Sequence, residues 1–322
     1  MKRLAAALLA LVSTPLLSTQ VFAQAWPTKP VRVVVSLPAG SATDIVGRAV
    51  SERLGAQLNQ PFIVENRVGA SGSIAQGVVA KADADGYTLL VFSSSATVVP
   101  STVPNLPFDV VKDFSGITML ANIPLALAVT SGKGLQSVKD LVAYARANPG
   151  KLNYATVGTG SGTHLSAERF RLGAGIQAQQ VPYKGTSEAL TDLVAGRVDY
   201  CFCPIGNVLA MAKDGKVQMI AVSSSRRASG SPDTPTTEEA GVPNSAYNFY
   251  VGMSVPSKVP RDIVAKLHAE TVKALNSPEL KDRYMKLGVD AQLFTPEQFD
   301  AYLRDEVASN AALVKAAGIK AQ

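Results

Sequence analysis

Two loops rich in small residues carry the residue types that are best suited to holding an anion. The first is SLPAGSATD at residues 36–44, and the second is GTGSGTH at residues 158–164. Each loop follows a run of residues typical of a buried strand and leads into a helical pattern. A helix that begins in such a loop presents unpaired backbone N–H groups and the positive end of its dipole, beside hydroxyl groups. The loops therefore predict an anion site, which suits a carboxylate as well as a phosphate.

Ordinary helix capping is the alternative interpretation of each loop, because Gly, Ser and Thr are also the usual cap and turn residues. Two features favour binding. Ligands of open α/β sheets bind beyond the carboxyl ends of the strands, where both loops fall. The loops also fall in different predicted lobes, and a receptor that closes on its ligand needs a contact surface on each lobe.

Three other loops could line the same cleft, and each has a structural explanation that is equally good. Residues 93–95 are three serines at a strand end, with Ser94 in the middle. Residues 66–72 precede a helix and include Arg67, which could pair with a carboxylate but is more typical of a structural ion pair. Residues 183–185 follow a strand with the same ambiguity.

The enzyme motifs that such loops can carry are incomplete here. A nucleophile elbow at Ser161 requires glycine at positions 159 and 163, and both are threonine. The second loop also lacks the ending of a P-loop and the third glycine of a dinucleotide fingerprint. His164 is interpreted as a hydrogen-bond donor or cap rather than a general base. The sequence thus predicts no catalytic residue, cofactor or metal, and an exported hydrolase using Ser161 and His164 is the alternative.

The elements around these loops alternate between short β-branched runs and helical patterns, which predicts an α/β fold. Strands are predicted at residues 31–36, 62–65, 88–93, 125–130, 153–156, 180–183, 200–203 and 219–223. Helices are predicted at residues 43–58, 73–82, 138–147, 164–172, 187–195 and 262–275. Capping signals at residues 236–239, 277–279 and 295–298 predict three further helix starts.

The start of the chain has the order of a secretory signal peptide. Lys2 and Arg3 precede a mostly apolar run, and small residues follow it up to Ala25. The apolar run is shorter than the roughly 20 residues that a membrane-spanning helix needs. We therefore expect a signal peptide within residues 1–25, with cleavage after Ala23 or Ala25, and a mature protein in the periplasm.

The rest of the chain is longer than one hydrophobic core usually serves, so two domains are expected. Crossings near residues 122–125 and 244–250 would give a first lobe of residues 26–123 plus 246–322 and a second lobe of residues 124–245. The formal net charge of +6 is a small excess for 322 residues, and no Lys/Arg-rich run is present. No nucleic-acid partner is therefore predicted, and we expect a monomer.

The two cysteines, Cys201 and Cys203, lie two residues apart on a predicted strand. Such residues have Cα atoms about 6.5–7 Å apart, which is at the limit of disulfide geometry. The spacing, with no histidine nearby, also makes a poor zinc site. Two free and mostly buried thiols are therefore expected.

Nine short motifs along the chain together point to one family. They are WPTKPV (26–31), GxxTD (40–44), VENR with GA (64–70), DGYTLL (85–90), LPFD with KDF (106–114), NPGKLNY (148–154), GxGS with HL (158–165), VPYKG (181–185) and PT with EAG (235–241). With these motifs in this order, the chain resembles the tripartite tricarboxylate transporter solute receptors, the Bug-type periplasmic binding proteins, over essentially its whole mature length.

The resemblance implies a periplasmic-binding-protein (Venus flytrap) fold, in which two Rossmann-like lobes enclose a ligand cleft. It implies that amides and hydroxyls of the first loop hold the carboxylate of a small ligand, with the second loop opposite. It also implies that the loaded receptor hands its solute to an inner-membrane permease. Docking on a signalling receptor, as a sensor, is a further alternative.

Two positions depart from the family pattern. The first loop of the family usually has glycine where this chain has Ser41, and an acidic residue is often found where it has Cys203. Loss of the acid disfavours an amino group and favours a less polar or aromatic mono- or dicarboxylate. The predicted ligand-binding residues are Pro38, Ala39, Gly40, Ser41, Thr43, Asp44, Ser94, Thr159, Gly160, Ser161, His164 and Cys203.

Overall fold

The computed structural model describes residues 26–320, which contain ten strands and ten α-helices. The strands are β1 (Val31–Val35), β2 (Phe62–Asn66), β3 (Thr88–Ser93), β4 (Phe114–Asn122), β5 (Leu125–Thr130), β6 (Leu152–Thr156), β7 (Ala178–Pro182), β8 (Tyr200–Pro204), β9 (Val217–Val222) and β10 (Tyr250–Pro256). The helices are α1 (Ala42–Leu58), α2 (Ser73–Ala80), α3 (Val99–Thr102), α4 (Val138–Ala147), α5 (Gly162–Ala174), α6 (Thr186–Val194), α7 (Ile205–Lys213), α8 (Arg261–Leu275), α9 (Pro278–Leu287) and α10 (Pro296–Ala317). The predicted signal peptide lies outside the described residues.

The first sheet has the strand order β2-β1-β3-β10-β4. Strands β1, β2 and β3 are parallel, and β10 runs antiparallel to both of its neighbours. The sequence VRVVV of β1 explains its central place, because Val31, Val33, Val34 and Val35 are fully buried between two layers of helices. Each such valine contributes roughly 1.5–3 kcal/mol through burial.

The second sheet repeats this plan with the order β7-β6-β8-β5-β9. Its parallel strands are β7, β6 and β8, and β5 is the antiparallel strand beside them. In each sheet the next two parallel strands along the chain lie on opposite sides of the first one, so the strand order reverses there. That first strand is β1 in one sheet and β6 in the other. That reversal is the place where ligands of open α/β sheets bind, beyond the carboxyl ends of the strands.

The chain passes from the first sheet to the second between Asn122 and Leu125, and it returns between Val222 and Tyr250. Helices α8 and α10 then pack on the first sheet. Helix α10 also reaches the second lobe, where Arg169 of α5 donates a hydrogen bond to Ser309 (2.9 Å). The domain boundaries at residues 123 and 246 stay a prediction. Among the described residues, no helix has the length and apolar character needed to cross a membrane.

Most predicted elements agree with the structure to within one or two residues, and three differences are informative. Strands β4 and β10, which pair with each other over a long sequence separation, were missed. Helix α7 was missed as well. The expected helix start at Thr236 is wrong, because Thr236 and Glu239 make both bonds of a capping box around a turn that no helix follows.

The expectation of two free thiols is also wrong, because Cys201 and Cys203 are joined by a disulfide. Their Cα atoms are 5.7 Å apart. This separation is shorter than that of a fully extended strand and falls inside the usual disulfide range. The pair lies in the apolar cluster between the second sheet and helices α6 and α7.

Candidate ligand-binding site

The two predicted loops have the same local structure in the two lobes. Gly40 and Gly160 both have left-handed backbones, with φ of 80° and 76°. The serine that follows each glycine is the N-cap of α1 or α5, with φ/ψ of −67°/159° at Ser41 and −70°/159° at Ser161. Each loop occupies the same topological position, directly after β1 or β6. The structure therefore places two matched helix starts at the two sheet reversals.

The third residue of each helix folds back onto its own loop. Asp44 accepts a hydrogen bond from the Gly40 amide (2.9 Å), and His164 Nδ1 accepts one from the Gly160 amide (3.1 Å). Of the two predicted roles, donor or cap, the structure shows His164 as an acceptor that holds its own loop on this side. The amides of both glycines are used inside the loops, so these glycines shape the site and their N–H groups are not free.

The free donors are the amides at the first two positions of each helix. These belong to Ala42 and Thr43 in α1 and to Gly162 and Thr163 in α5, and they have no intrahelical acceptor. The hydroxyl of Thr43 is buried and has no hydrogen-bond partner among the described residues. The hydroxyl of Thr163 is instead used within its loop, where it accepts from the Val157 amide (3.0 Å).

Burial and neighbouring groups together set the protonation of the two side chains that close the loops. Burial by itself would raise the pKa of Asp44, but hydrogen bonds from Arg48, Asn66 and the Gly40 amide outweigh it and lower that pKa. Burial lowers the pKa of His164, Glu168 opposes this shift, and Arg171 adds to it. Asp44 is therefore an anion neutralised by Arg48, and His164 is a neutral imidazole at pH 7.

A turn of the first lobe stands between the two loops. All four residues of 69–72 have positive φ, from 43° at Ala70 to 137° at Gly69. Such a backbone is costly for the non-glycine residues Ala70 and Ser71, and strain of this kind collects at functional sites. A Cβ atom built on Gly160 would lie 3.7 Å from Ser71 Oγ, so this turn is where the first lobe meets the second loop.

Two of the predicted residues present no free polar group to the cleft. Ser94 is fully buried, and its hydroxyl is hydrogen-bonded to that of Tyr247 at 3.1 Å. Cys203 is buried and bonded to Cys201. Arg67 donates to Glu65 (3.1 Å), in agreement with a structural role.

Three of the remaining predicted residues line cavities, and these cavities are two different ones. Pro38, Ala39 and Gly40 are exposed, and Gly40 lines a cavity of about 230 Å³ between the lobes. Thr159 and His164 line a different cavity of about 340 Å³, beside the end of α10. The structure thus does not bring the whole predicted set to one surface.

The wall of the inter-lobe cavity on the second lobe is the start of α7, which the sequence reading missed. Pro204, Gly206 and Asn207 line the cavity opposite Gly40 and Ala42. A signal was available, because the apolar residues of IGNVLAMAK recur at helical spacing behind a proline.

Comparison with known proteins agrees with this architecture. The family model described as "Tripartite tricarboxylate transporter family receptor" matches residues 46–319. The chain belongs to this family. It is 32% identical to Protein BugT of Bordetella pertussis over 322 residues, which cover 99% of each chain.

Solved structures of family members confirm the fold. The periplasmic binding protein BugD has a TM-score of 0.79 at 30% identity, with 92% of this chain and 100% of BugD covered. The R. palustris protein Rpa4515, solved with adipate, has a TM-score of 0.81 at 31% identity, with coverage of 92% and 100%. The two-lobed Venus flytrap fold and the family resemblance predicted from the motifs are therefore confirmed. This family and fold are those of solute-binding receptors and not of enzymes.

The geometry around Ser161 is that of a helix cap. Its hydroxyl donates to the Gly158 carbonyl (2.7 Å) and accepts from the backbone amide of His164 (3.3 Å). The imidazole is bonded through Nδ1 to the Gly160 amide. The hydroxyl and the imidazole thus both hold the loop, which gives the hydrolase alternative no support.

Proposed function

We propose that this protein captures a small carboxylate between its two lobes in the periplasm and delivers it to the membrane permease of a tripartite transporter. The observation that carries the proposal is the pair of matched helix starts, one on each lobe, at the two sheet reversals. Two relatives support the ligand class: Rpa4515 was solved with adipate, and MatC from Rhodopseudomonas palustris, at 30% identity, with bound malate.

The chemistry of the helix starts suits a carboxylate. An ionised carboxylate accepts about four hydrogen bonds, and the two helices offer two free amides each. The Thr43 hydroxyl adds one more donor on the first lobe. Hydrogen bonds to a charged group contribute roughly 1.5–3 kcal/mol each, and both helix dipoles favour the negative charge. A ligand held from both sides would stabilise the closed arrangement of the lobes.

Binding should be visible as thermal stabilisation. A ligand at 100 times its dissociation constant stabilises the folded state by about 2.7 kcal/mol. The melting temperature would be measured with a panel of mono- and dicarboxylates, including aromatic acids, against the corresponding amides as uncharged controls. A panel in which no carboxylate raises the melting temperature would contradict the proposal.

The Thr43→Val substitution connects binding to this site. It removes a buried hydroxyl that has no partner within residues 26–320, so the free protein should be equally stable or more stable. Affinity for the carboxylate should nevertheless fall. Thr271→Val is the matched control, because Thr271 is also buried without a hydrogen-bond partner among the described residues but lies inside α8, away from both helix starts. Equal affinity in both variants would exclude the Thr43 hydroxyl from the site.

A further inference from the structure

The inter-lobe cavity adjoins the carboxylate site and has room for the rest of a ligand. Gly40 and Ala42 line it on the first lobe, and the start of α7 lines it on the second. Its volume is about 230 Å³. A dry, apolar cavity of about 150 Å³ binds benzene, so this cavity is large enough for a ring that carries a small substituent.

Apolar and polar groups share the walls of the cavity in nearly equal parts. Hydrocarbon side chains line it on the first lobe, at the crossing after β4 and around the end of α9; they are Ile45, Val46, Ile123, Leu287 and Val289. Val46 and Ile123 have almost no exposed surface, whereas Ile45 and Leu287 are partly exposed and offer apolar surface for a ligand to cover. Such walls gain free energy when they cover apolar ligand surface, and a charged group placed against them would lose its hydration.

Charged groups at the cavity do not favour a second ionised group on the ligand. None of the described residues that line the cavity is acidic, so an ammonium group would have no counter-ion there. Lys286, the one cation among the described residues that line the cavity, is bound to Asp282 at 2.7 Å, and both side chains are more than half exposed. An exposed and already paired lysine offers little to a second carboxylate. Asn207 is the neutral polar residue at the cavity.

We propose that the cavity holds the body of the ligand, and that the ligand is a monocarboxylate with an apolar body the size of a benzene ring or slightly larger. The inference rests on the proposed function, because the carboxylate must lie at the start of α1 for its body to enter the cavity. It separates this protein from Rpa4515 and MatC, whose structures hold the dicarboxylates adipate and malate.

Isothermal titration of the full mature protein tests the inference with acetate, phenylacetate, cyclohexanecarboxylate, adipate and glutamate as probes. A single methylene in an apolar pocket changes affinity by about tenfold or more, so phenylacetate and cyclohexanecarboxylate should bind at least about tenfold more tightly than acetate. They should also bind more tightly than adipate and glutamate.

Two variants and one control variant locate the effect. Ala42→Leu fills the cavity and keeps the backbone amide, so it should weaken phenylacetate about tenfold more than it weakens acetate. Ala265→Leu, on an exposed position of α8, is the control for adding the same side chain. Lys286→Gln should change the affinity for phenylacetate less than about twofold.

The outcomes separate this inference from the proposed function. If adipate binds most tightly and Lys286→Gln weakens it tenfold, the ligand is a dicarboxylate and the inference is wrong. If all the carboxylates bind equally and Ala42→Leu has no effect, the body lies outside the cavity and the inference is again wrong, while carboxylate capture stands. If none of the carboxylates binds, the proposed function itself fails.

Discussion

Replacing Ala42 by proline removes one backbone N–H from the start of α1 and should leave the helix intact. Ala42 is the first residue of the helix, where proline is favoured because that N–H has no intrahelical acceptor. The preceding residue must be extended for a proline to follow it. Ser41 already has this conformation, with φ −67° and ψ 159°.

The expected loss of affinity follows from the hydrogen bond that disappears. A hydrogen bond from an amide to a charged group contributes about 1.5–3 kcal/mol. Each 1.4 kcal/mol corresponds to a factor of ten, so Ala42→Pro should weaken carboxylate binding roughly ten- to a hundredfold. Acetate should be affected as strongly as larger acids, because the change acts on the carboxylate and not on the ligand body.

Isothermal titration of Ala42→Pro with acetate and the tightest-binding acid measures this effect, and circular dichroism checks that helix content is unchanged. Ala42→Ser, which keeps the amide, is the control and should bind like the parent protein. The reasoning is refuted if Ala42→Pro folds normally and binds every carboxylate with unchanged affinity, since the α1 amide would then not touch the ligand.

Three further substitutions test how the second loop is held. Ser161→Ala removes the N-cap of α5 and should lower the free energy of unfolding by about 1 kcal/mol in urea titrations; an unchanged value would mean that the cap is dispensable. Gly162→Ala would place a Cβ atom into the ring of Phe249 and should cost about 1–3 kcal/mol, whereas a stability equal to that of the parent would show that the ring moves freely. The pKa of His164 is lower in the folded state than the ordinary 6.5. Below pH 6.5 the unfolded chain therefore binds more protons than the folded one. The stability contributed by the neutral imidazole is lost as the pH falls. His164→Asn should therefore show a smaller drop in unfolding free energy between pH 7.5 and pH 5.5 than the parent, and an identical drop would contradict the assignment.

Local signals in the sequence were sufficient for the two helix starts. Gly40 and Gly160 supply the left-handed backbone, and the serines that follow them supply the caps, so glycine and serine at these spacings specify the turns. The strand pattern also placed both loops at carboxyl ends of strands. These features depend on neighbours within a few residues along the chain. Hydrophobic periodicity and helix-capping patterns are signals of that same short range.

The missed features depend on contacts between distant residues or on side-chain direction. Strand β10 lies between β3 and β4 because of pairings that span more than 100 residues, and nothing local in Tyr250–Pro256 specifies them. The hydrogen bond from the Gly160 amide to His164 depends on the rotamer of the His164 side chain, which the sequence does not specify. The disulfide between Cys201 and Cys203 depends on their Cα separation in β8, which is shorter than in a fully extended strand. The composition of the inter-lobe cavity likewise required the arrangement of α1, α7 and α9 in space.

The crystal structure of the complex with the tightest-binding carboxylate tests the central claim most directly. Carboxylate oxygens should lie about 3 Å from the amide nitrogens of Ala42 or Thr43 and from those of Gly162 or Thr163, with both lobes closed on one ligand. A carboxylate bound instead in the cavity lined by Thr159 and Arg171, away from the start of α1, would contradict it.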